Sequence, residues 1–204
     1  MNQNLQINQT KRLVITALMA ALTFAATYAV KIPTPTMGYI HPGDCLVLLC
    51  GIILGPAGGF LSAGIGSMLS DLLGGYTLYV IPTFIIKGTT ALIAALLFCL
   101  GKRILFSGRI MIALFLSGLA AEANMVFGYF VNKIVKTMFE TGDYTMPMLL
   151  TGLAKAFTDL PFNLLQGGIG IGLSLVLFPV LLKIPDVNTL LSSWLKNHTT
   201  VSKV

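Results

Sequence analysis

Charged residues are scarce in this chain. Of its 204 residues, 10% are charged and 55% are hydrophobic, and the mean hydropathy is +0.87. A soluble domain is usually about one quarter charged, so too few charges are present to cover a soluble globule. The formal net charge of +6 does not indicate nucleic acid binding, because the basic residues form no long run and lie between apolar stretches. The composition predicts a single transmembrane domain over residues 1–204.

Residues that commonly perform catalysis or bind metals are also few. The histidines are His41 and His198, and neither a G-x-S-x-G nor an H-E-x-x-H motif occurs. The cysteines Cys45, Cys50 and Cys99 lie in apolar runs without the spacing of a metal site, so we interpret them as packing residues. From these absences we expect no enzymatic activity, metal or cofactor. An intramembrane hydrolase would have to use His41 together with a nucleophile on the other side of a pocket.

Six apolar segments predict an all-α bundle of six transmembrane helices, because a helix needs about 20 apolar residues to cross a bilayer. The segments cover about 13–30, 44–54 with an extension back through 39–41, 57–73, 80–100, 110–131, and a stretch within 148–182. Gly55-Pro56 predicts a turn between the second and third. The last segment is too long for one straight crossing, so either Pro161 and Pro179 kink it or its first turns lie outside the hydrocarbon.

The distribution of basic residues predicts that both termini are cytoplasmic, with short tails at about 1–11 and 184–204. With the N-terminus inside, the following basic residues are cytoplasmic: Lys11, Arg12, Lys102, Arg103, Arg109, Lys183, Lys196 and Lys203. On the outer side lie Lys31, Lys133 and Lys136, while Lys87 and Lys155 fall within spans. This excess of inner charge agrees with an even number of crossings.

A polar stripe on the sixth span predicts a solute site. Lys155, Asp159, Asn163 and Gln166 are separated by four, four and three residues, so they fall on one face of a helix. An ionisable residue within a span costs about 2.5–3.5 kcal/mol on insertion scales and suggests function. The alternative for Lys155 and Asp159 is an i,i+4 pair that neutralises itself.

Further polar residues lie at the same outer end of the predicted bundle. The candidates for substrate binding there are Tyr39, His41, Asp44, Tyr76 and Lys87. A pocket open to the outside would bring such groups together with the stripe. Asp44 has the alternative role of a helix cap, and Tyr76 that of an interfacial belt residue. Glu122 lies deeper, and its alternative role is a structural partner for a lysine.

Small residues recur every four positions on the first span, at Ala17, Ala21, Ala25 and Ala29. Such residues let helix backbones approach closely within a membrane. The alanine face therefore either packs inside the bundle or forms an outward face for another membrane subunit.

Several segments together resemble a known family. They are Tyr39-Ile-His-Pro-Gly-Asp44, Leu54-Gly-Pro-Ala-Gly-Gly59, Gly64-Ile-Gly-Ser-Met-Leu-Ser-Asp-Leu-Leu-Gly-Gly-Tyr76, Ile85-Ile-Lys-Gly88, Pro161-Phe-Asn-Leu-Leu-Gln166 and Ala17-Leu-Met-Ala-Ala21. The pattern is similar to that of the substrate-binding S components of energy-coupling factor (ECF) transporters, the vitamin-uptake class of ABC transporters. Within that class it resembles the subgroup for hydroxymethylpyrimidine, pyridoxine or riboflavin.

The resemblance implies a six-helix, multi-pass protein of a bacterial plasma membrane. It implies that Ala17, Ala21 and Ala25 dock on a transmembrane coupling subunit and that two ATPase subunits supply energy, which agrees with the absence of a G-x-x-x-x-G-K-[ST] motif. It further implies that a loop at about 32–39 gates a vitamin pocket. That pocket would use the loop and the outer parts of spans four to six, including Lys87, Lys155, Asp159, Asn163 and Gln166.

The substrate and two rival functions stay open at this point. Paired lysines and carboxylates favour a polar heterocycle such as hydroxymethylpyrimidine or pyridoxine over riboflavin, and the lone tryptophan, Trp194, lies in the tail. An ion-coupled secondary transporter would use Glu122 and the Lys155–Asp159 pair as a relay. A purely structural subunit would not need the polar stripe.

Overall fold

The computed structural model describes residues 9–104 and 109–200, with side chains as far as residue 196, so the predicted inner charge Lys203 lies outside the described residues. Its helices are α1 (Gln9–Ala29), α2 (Asp44–Leu73), α3 (Val80–Ile104), α4 (Ile110–Thr141), α5 (Met146–Leu181) and α6 (Pro185–Thr200). Strands β1 (Ile32–Pro33) and β2 (Tyr39–Ile40) form a small antiparallel hairpin, and a 3-10 turn covers Thr77–Tyr79. Five helical segments of the described ranges are long and apolar enough to cross a bilayer. The prediction of an all-α, polytopic membrane protein is therefore confirmed.

Helix α2 reverses its direction at Gly55. Gly55 has φ 79° and ψ −176°, which is not helical, and Pro56 follows it. The Cys50 Sγ and Ser62 Oγ atoms lie 3.3 Å apart although they are separated by 12 residues, a separation that would span about 18 Å in a straight helix. α2 is therefore a hairpin with a first arm at 44–54 and a second arm at 56–73, joined at the predicted turn.

The first arm of α2 forms the centre of the bundle. Its fully buried side chains are Val47, Leu48, Leu49, Cys50, Ile52 and Ile53. Close packing is possible because the arm carries Gly51, where a Cβ atom would collide with the Ala91 carbonyl group of α3. An arm of 11 residues is only about 16 Å long, and its burial among other helices removes the need to match the lipid thickness.

Large apolar side chains cover the outside of the long helices. Leu13, Ile81, Phe127, Phe157 and Val176 are each more than 60% exposed. Such a surface would be a liability in water, but it suits contact with lipid tails. α5 runs through Pro161 and Pro179 as one helix of 36 residues, or about 54 Å. It is longer than a hydrocarbon core of about 30 Å, so part of it lies outside that core.

The segment that we predicted only as a tail forms α6, which packs on the bundle. Its buried residues are Val187, Leu190, Leu191, Trp194 and Leu195, spaced as one face of a helix. The Trp194 Nε1–H donates to the Ile52 carbonyl at 3.0 Å. That carbonyl would bond to the N–H of residue 56 in a regular helix, but proline has none. α6 thus satisfies the polar group that the α2 reversal leaves open.

Candidate functional site

A loop between α1 and α2 folds back over one end of the bundle. The pairing of Ile32 with Ile40 and of Pro33 with Tyr39 closes it into a hairpin. Its tip contains Met37, which has φ 63° and is 80% exposed. The predicted extension of the second span back through 39–41 is wrong, because Tyr39 and Ile40 form β2 and α2 begins at Asp44. The prolines and the glycine of this segment favour such irregular backbone over a continuous helix.

A cavity lies directly beneath this loop. About 560 Å³ of empty space lies between its walls, a figure that includes solvent at its open mouth. The lining residues are Thr27, Thr34, Gly38, Tyr39, His41, Asp71, Tyr76, Tyr79, Thr83, Tyr129, Lys133, Asp159, Asn163 and Gln166. They come from the loop, from the connection between α2 and α3, and from all five long helices, so the cavity depends on the assembled bundle.

Aromatic rings form one wall of this pocket. The Tyr39 and Tyr76 ring centroids are 4.7 Å apart, and those of Tyr39 and His41 are 5.5 Å apart. The Tyr39 hydroxyl donates to Asp71 Oδ1 at 2.5 Å, and the Lys31 ammonium lies 4.6 Å from the Tyr39 ring centroid. Burial raises the pKa of Tyr39 far above its ordinary value, and the nearby Asp71 carboxylate adds to this. The Tyr39 ring is therefore neutral, and the aromatic rings of this wall suit a flat solute.

Three polar side chains tie the loop to the bundle. Lys133 of α4 forms an ion pair with Asp159 of α5 at 2.7 Å, and both side chains are buried. The Thr36 hydroxyl of the loop donates to Asp159. The Lys133 ammonium also donates to the Thr36 carbonyl at 2.9 Å and to the Tyr79 hydroxyl at 2.8 Å. We call Thr36, Lys133 and Asp159 the loop latch.

A second buried ion pair lies beneath the pocket. Lys87 of α3 pairs with Asp44 at the start of α2, and both side chains are fully buried. The Gln166 amide donates to Asp44 Oδ2 at 2.7 Å and accepts from the His41 backbone N–H at 3.1 Å. Asp44 does not cap its helix, because Gly43 is the N-cap residue and no side-chain cap is formed. The pair supports the pocket floor through Gln166.

His41 is held neutral in the wall. Its Nδ1 accepts from the Gly43 N–H at 3.1 Å, so that nitrogen carries no proton. Burial lowers the pKa of His41 to about 3; the Asp44 carboxylate opposes this shift, while the Lys87 and Lys31 ammonium groups add to it. At neutral pH His41 therefore brings no charge to the pocket.

Most of the residues that the sequence predicted for the site come together. Tyr39, His41, Tyr76, Asp159, Asn163 and Gln166 line the cavity, and Asp44 and Lys87 lie under it. Lys155 does not join them. It is exposed and lines a second, more open cavity with Thr36, Lys136 and Glu140. The suggested Lys155–Asp159 pair is also wrong, because Asp159 turns to Lys133 on the neighbouring helix.

The cavity also has lining residues outside the predicted substrate-binding set: Thr27, Thr34, Gly38, Asp71, Tyr79, Thr83, Tyr129 and Lys133. Some of these residues stand out in the sequence. Tyr129 and Lys133 are four residues apart on a helix, and Asp71 ends an apolar segment. The sequence does not show which helices face each other. In the structure α3 faces α4, and the Tyr129 hydroxyl lies 3.1 Å from the Thr83 hydroxyl.

The remaining predicted surface is the alanine face of α1. Ala17, Ala21, Ala25 and Ala29 are exposed, whereas Met19, Thr23 and Thr27 face the bundle. The four alanines therefore lie on the face of α1 that points away from the bundle.

Two similarities to known proteins bear on the family of this chain. A sequence model of the family described as "ECF-type riboflavin transporter, S component" matches residues 7–183, which contain every residue lining the pocket. A protein of Pyrococcus woesei, described as "Uncharacterized protein in gap 3'region", is 35% identical over 104 residues. That match covers 50% of this chain and 65% of the relative, which is slightly less than two thirds of the relative's length.

Proposed function

This chain belongs to the family of ECF-type riboflavin transporter S components, and from this premise we propose that it captures a water-soluble vitamin for uptake. The family is one of transporter subunits rather than of enzymes. The observation that carries the proposal is the cavity beneath the loop, which is lined by tyrosines and by polar groups of all five long helices. Such a mixture of ring surface and convergent polar groups suits a small planar solute.

The substrate is a vitamin or precursor with a flat heterocyclic ring. Two candidates have support. The family description names riboflavin, and a second cavity adjoins the pocket and shares Tyr76, Tyr79 and Lys133 with it, which gives room for a hydroxylated chain. The paired charges of Lys133 and Asp159 in the pocket favour hydroxymethylpyrimidine or pyridoxine.

The protein crosses the plasma membrane of a bacterial cell six times, with both termini in the cytoplasm. The reversal of α2 at Gly55 supports this topology, because it turns five helical segments into six crossings and returns the C-terminus to the side of the N-terminus. The inner ends of α3 and α4 then carry Lys102, Arg103 and Arg109, as the positive-inside rule requires. The pocket opens to the outside.

Energy comes from other chains. The exposed face of Ala17, Ala21 and Ala25 docks on the transmembrane coupling subunit, because small side chains allow close backbone approach in lipid. Two ATPase subunits complete the transporter. The chain captures the vitamin outside and releases it inside once docked.

Transport assays with defined partners test this proposal. Proteoliposomes containing this chain, with and without the coupling subunit and the ATPases, are loaded with ATP and supplied with labelled riboflavin, pyridoxine or hydroxymethylpyrimidine. We expect uptake of one vitamin only in the complete assembly. Uptake by the chain alone, driven by a proton or sodium gradient, would instead establish an ion-coupled secondary transporter.

A further inference from the structure

Glu122 is a buried acid that the pocket itself does not use. It lies on α4 with 3% of its surface exposed. Among the described residues, no N–H or O–H group donates a hydrogen bond to either carboxylate oxygen. It packs against α5 so closely that a Cβ atom on Gly167 would lie 3.3 Å from Glu122 Oε2. An ionised carboxylate that is buried without donors is strongly disfavoured.

The charges around Glu122 do not balance if it is ionised. Its charged neighbours are Asp44 from α2 and Lys87 from α3, and the Cys45 thiol of α2 is a further titratable neighbour. From α5 it faces Gly167, beside the uncharged Gln166. His41 from the loop is neutral, since its pKa is about 3. Two ionised carboxylates would therefore face one ammonium group in a dry interior.

The hydrogen bonds around Asp44 also indicate that one of the two carboxyl groups is protonated. Asp44 accepts from Lys87 at one oxygen and from Gln166 at the other. Glu122 and Asp44 pack against neighbouring turns of α5, at Gly167 and at Gly170. Two ionised carboxylates cannot bond, because both are acceptors only. One proton between them supplies the missing donor and makes the cluster neutral, as in other close carboxylate pairs.

We propose that Glu122 carries a proton, donates it in a hydrogen bond to Asp44, and thereby positions Gln166 in the vitamin pocket. The first part concerns the protein alone, and the second rests on the proposed function. Glu122 is a positioning residue, since it acts through Asp44, whose second oxygen orients the Gln166 amide. Loss of the proton would place two negative charges together and release Gln166.

Infrared spectroscopy tests the proton without any vitamin. Glu122 and Glu140 are the glutamates of the chain, and Glu140 is partly exposed and pairs with Lys136, so Glu140 provides the control. We expect the C=O stretch of a protonated acid in the wild-type protein at pH 7, shifted by ¹³C-glutamate labelling, absent in Glu122→Gln and retained in Glu140→Gln. A wild-type spectrum without a label-sensitive band of this kind would overturn the proposal.

Vitamin binding tests the positioning role. Glu122→Gln keeps a neutral donor, so its affinity should stay within about threefold of wild type, whereas Glu122→Leu should lose about tenfold or more. Wild-type affinity should fall at alkaline pH, and that of Glu122→Gln should not. Equal losses in both variants, or parallel pH profiles, would contradict the role. If the wild-type chain binds no vitamin, the proposed function fails, and the infrared band still decides the proton.

Discussion

The loop latch is the residue-scale feature that connects the loop above the pocket to the helices of the bundle. Thr36 of the loop both donates to Asp159 and accepts from Lys133, and both charged partners are buried. Hydrogen bonds to charged groups are the stronger ones in proteins. A single hydroxyl therefore connects the loop to α4 and α5, and it makes a precise target for testing whether the loop retains a bound solute.

Thr36→Val keeps the shape of this side chain and removes its hydroxyl. We expect bound vitamin to dissociate about tenfold faster, because a charge-assisted hydrogen bond contributes about 1.5–3 kcal/mol. Stopped-flow displacement measures the rate. Thr151→Val is the matched control, since Thr151 is exposed and bonds only within α5. Equal dissociation rates for the two variants would contradict a latching role.

His41 makes a second residue-scale prediction, which concerns pH. Its pKa is about 3 in the folded protein and about 6.5 in an unfolded chain, so the unfolded state binds a proton first. The contribution of neutral His41 to the free energy of unfolding is fully present above about pH 6.5. It is lost as the pH falls toward 3, by about 1.4 kcal/mol per pH unit.

Thermal unfolding between pH 7 and pH 4 checks this prediction. His41→Asn keeps an acceptor for the Gly43 N–H and removes the titrating group. The wild-type midpoint should fall more steeply with decreasing pH than that of the variant. Parallel curves would show that His41 is not held neutral by burial.

At the scale of elements, α6 completes the α2 hairpin. Trp194 lies over Gly55 at the reversal and bonds to the Ile52 carbonyl that Pro56 leaves open. Trp194→Phe keeps a ring but removes the N–H group, so the free energy of unfolding should fall by about 1–3 kcal/mol. Thermal unfolding measures it, with the exposed Ser192→Ala as control. An unchanged midpoint would mean that water satisfies this carbonyl equally well.

The helices show which structural features of this protein a local sequence pattern can predict. Apolar length predicted the long helices, and Gly55-Pro56 predicted the reversal, because both are local properties. α6 was predicted only as a tail, since its apolar residues cover one narrow face among polar ones. Its helix forms against the rest of the bundle, and such tertiary packing leaves little trace in local hydropathy.

The pocket likewise combines residues that the sequence could predict with residues that it could not. Asp159, Asn163 and Gln166 were predicted because helical spacing places them on one face. Lys155 shares that spacing but lies nearer the end of α5, where the face opens to the second cavity. The true partner of Asp159 is Lys133, which is 26 residues away in sequence, and periodicity within one helix cannot identify a partner on another.

At the scale of the whole molecule, the alanine face of α1 makes a prediction about assembly. Ala21 is exposed and touches no part of the pocket. Ala21→Phe should leave vitamin binding unchanged and abolish uptake by the complete transporter, because a bulky ring prevents close helix approach. Ala120→Phe, on the exposed face of α4, is the control. Normal uptake by Ala21→Phe would remove α1 from the docking surface.

The central claim is that this chain alone captures a vitamin, and calorimetry on the purified protein in detergent tests it most directly. Riboflavin, pyridoxine and hydroxymethylpyrimidine are titrated without ATP or an ion gradient into the wild type and into Asn163→Ala. The Asn163 side chain lines the pocket and makes no hydrogen bond among the described residues. We predict binding of one vitamin, weakened about tenfold or more by Asn163→Ala without loss of thermal stability. Absence of binding for all three vitamins, or equal affinity in the variant, would contradict the account.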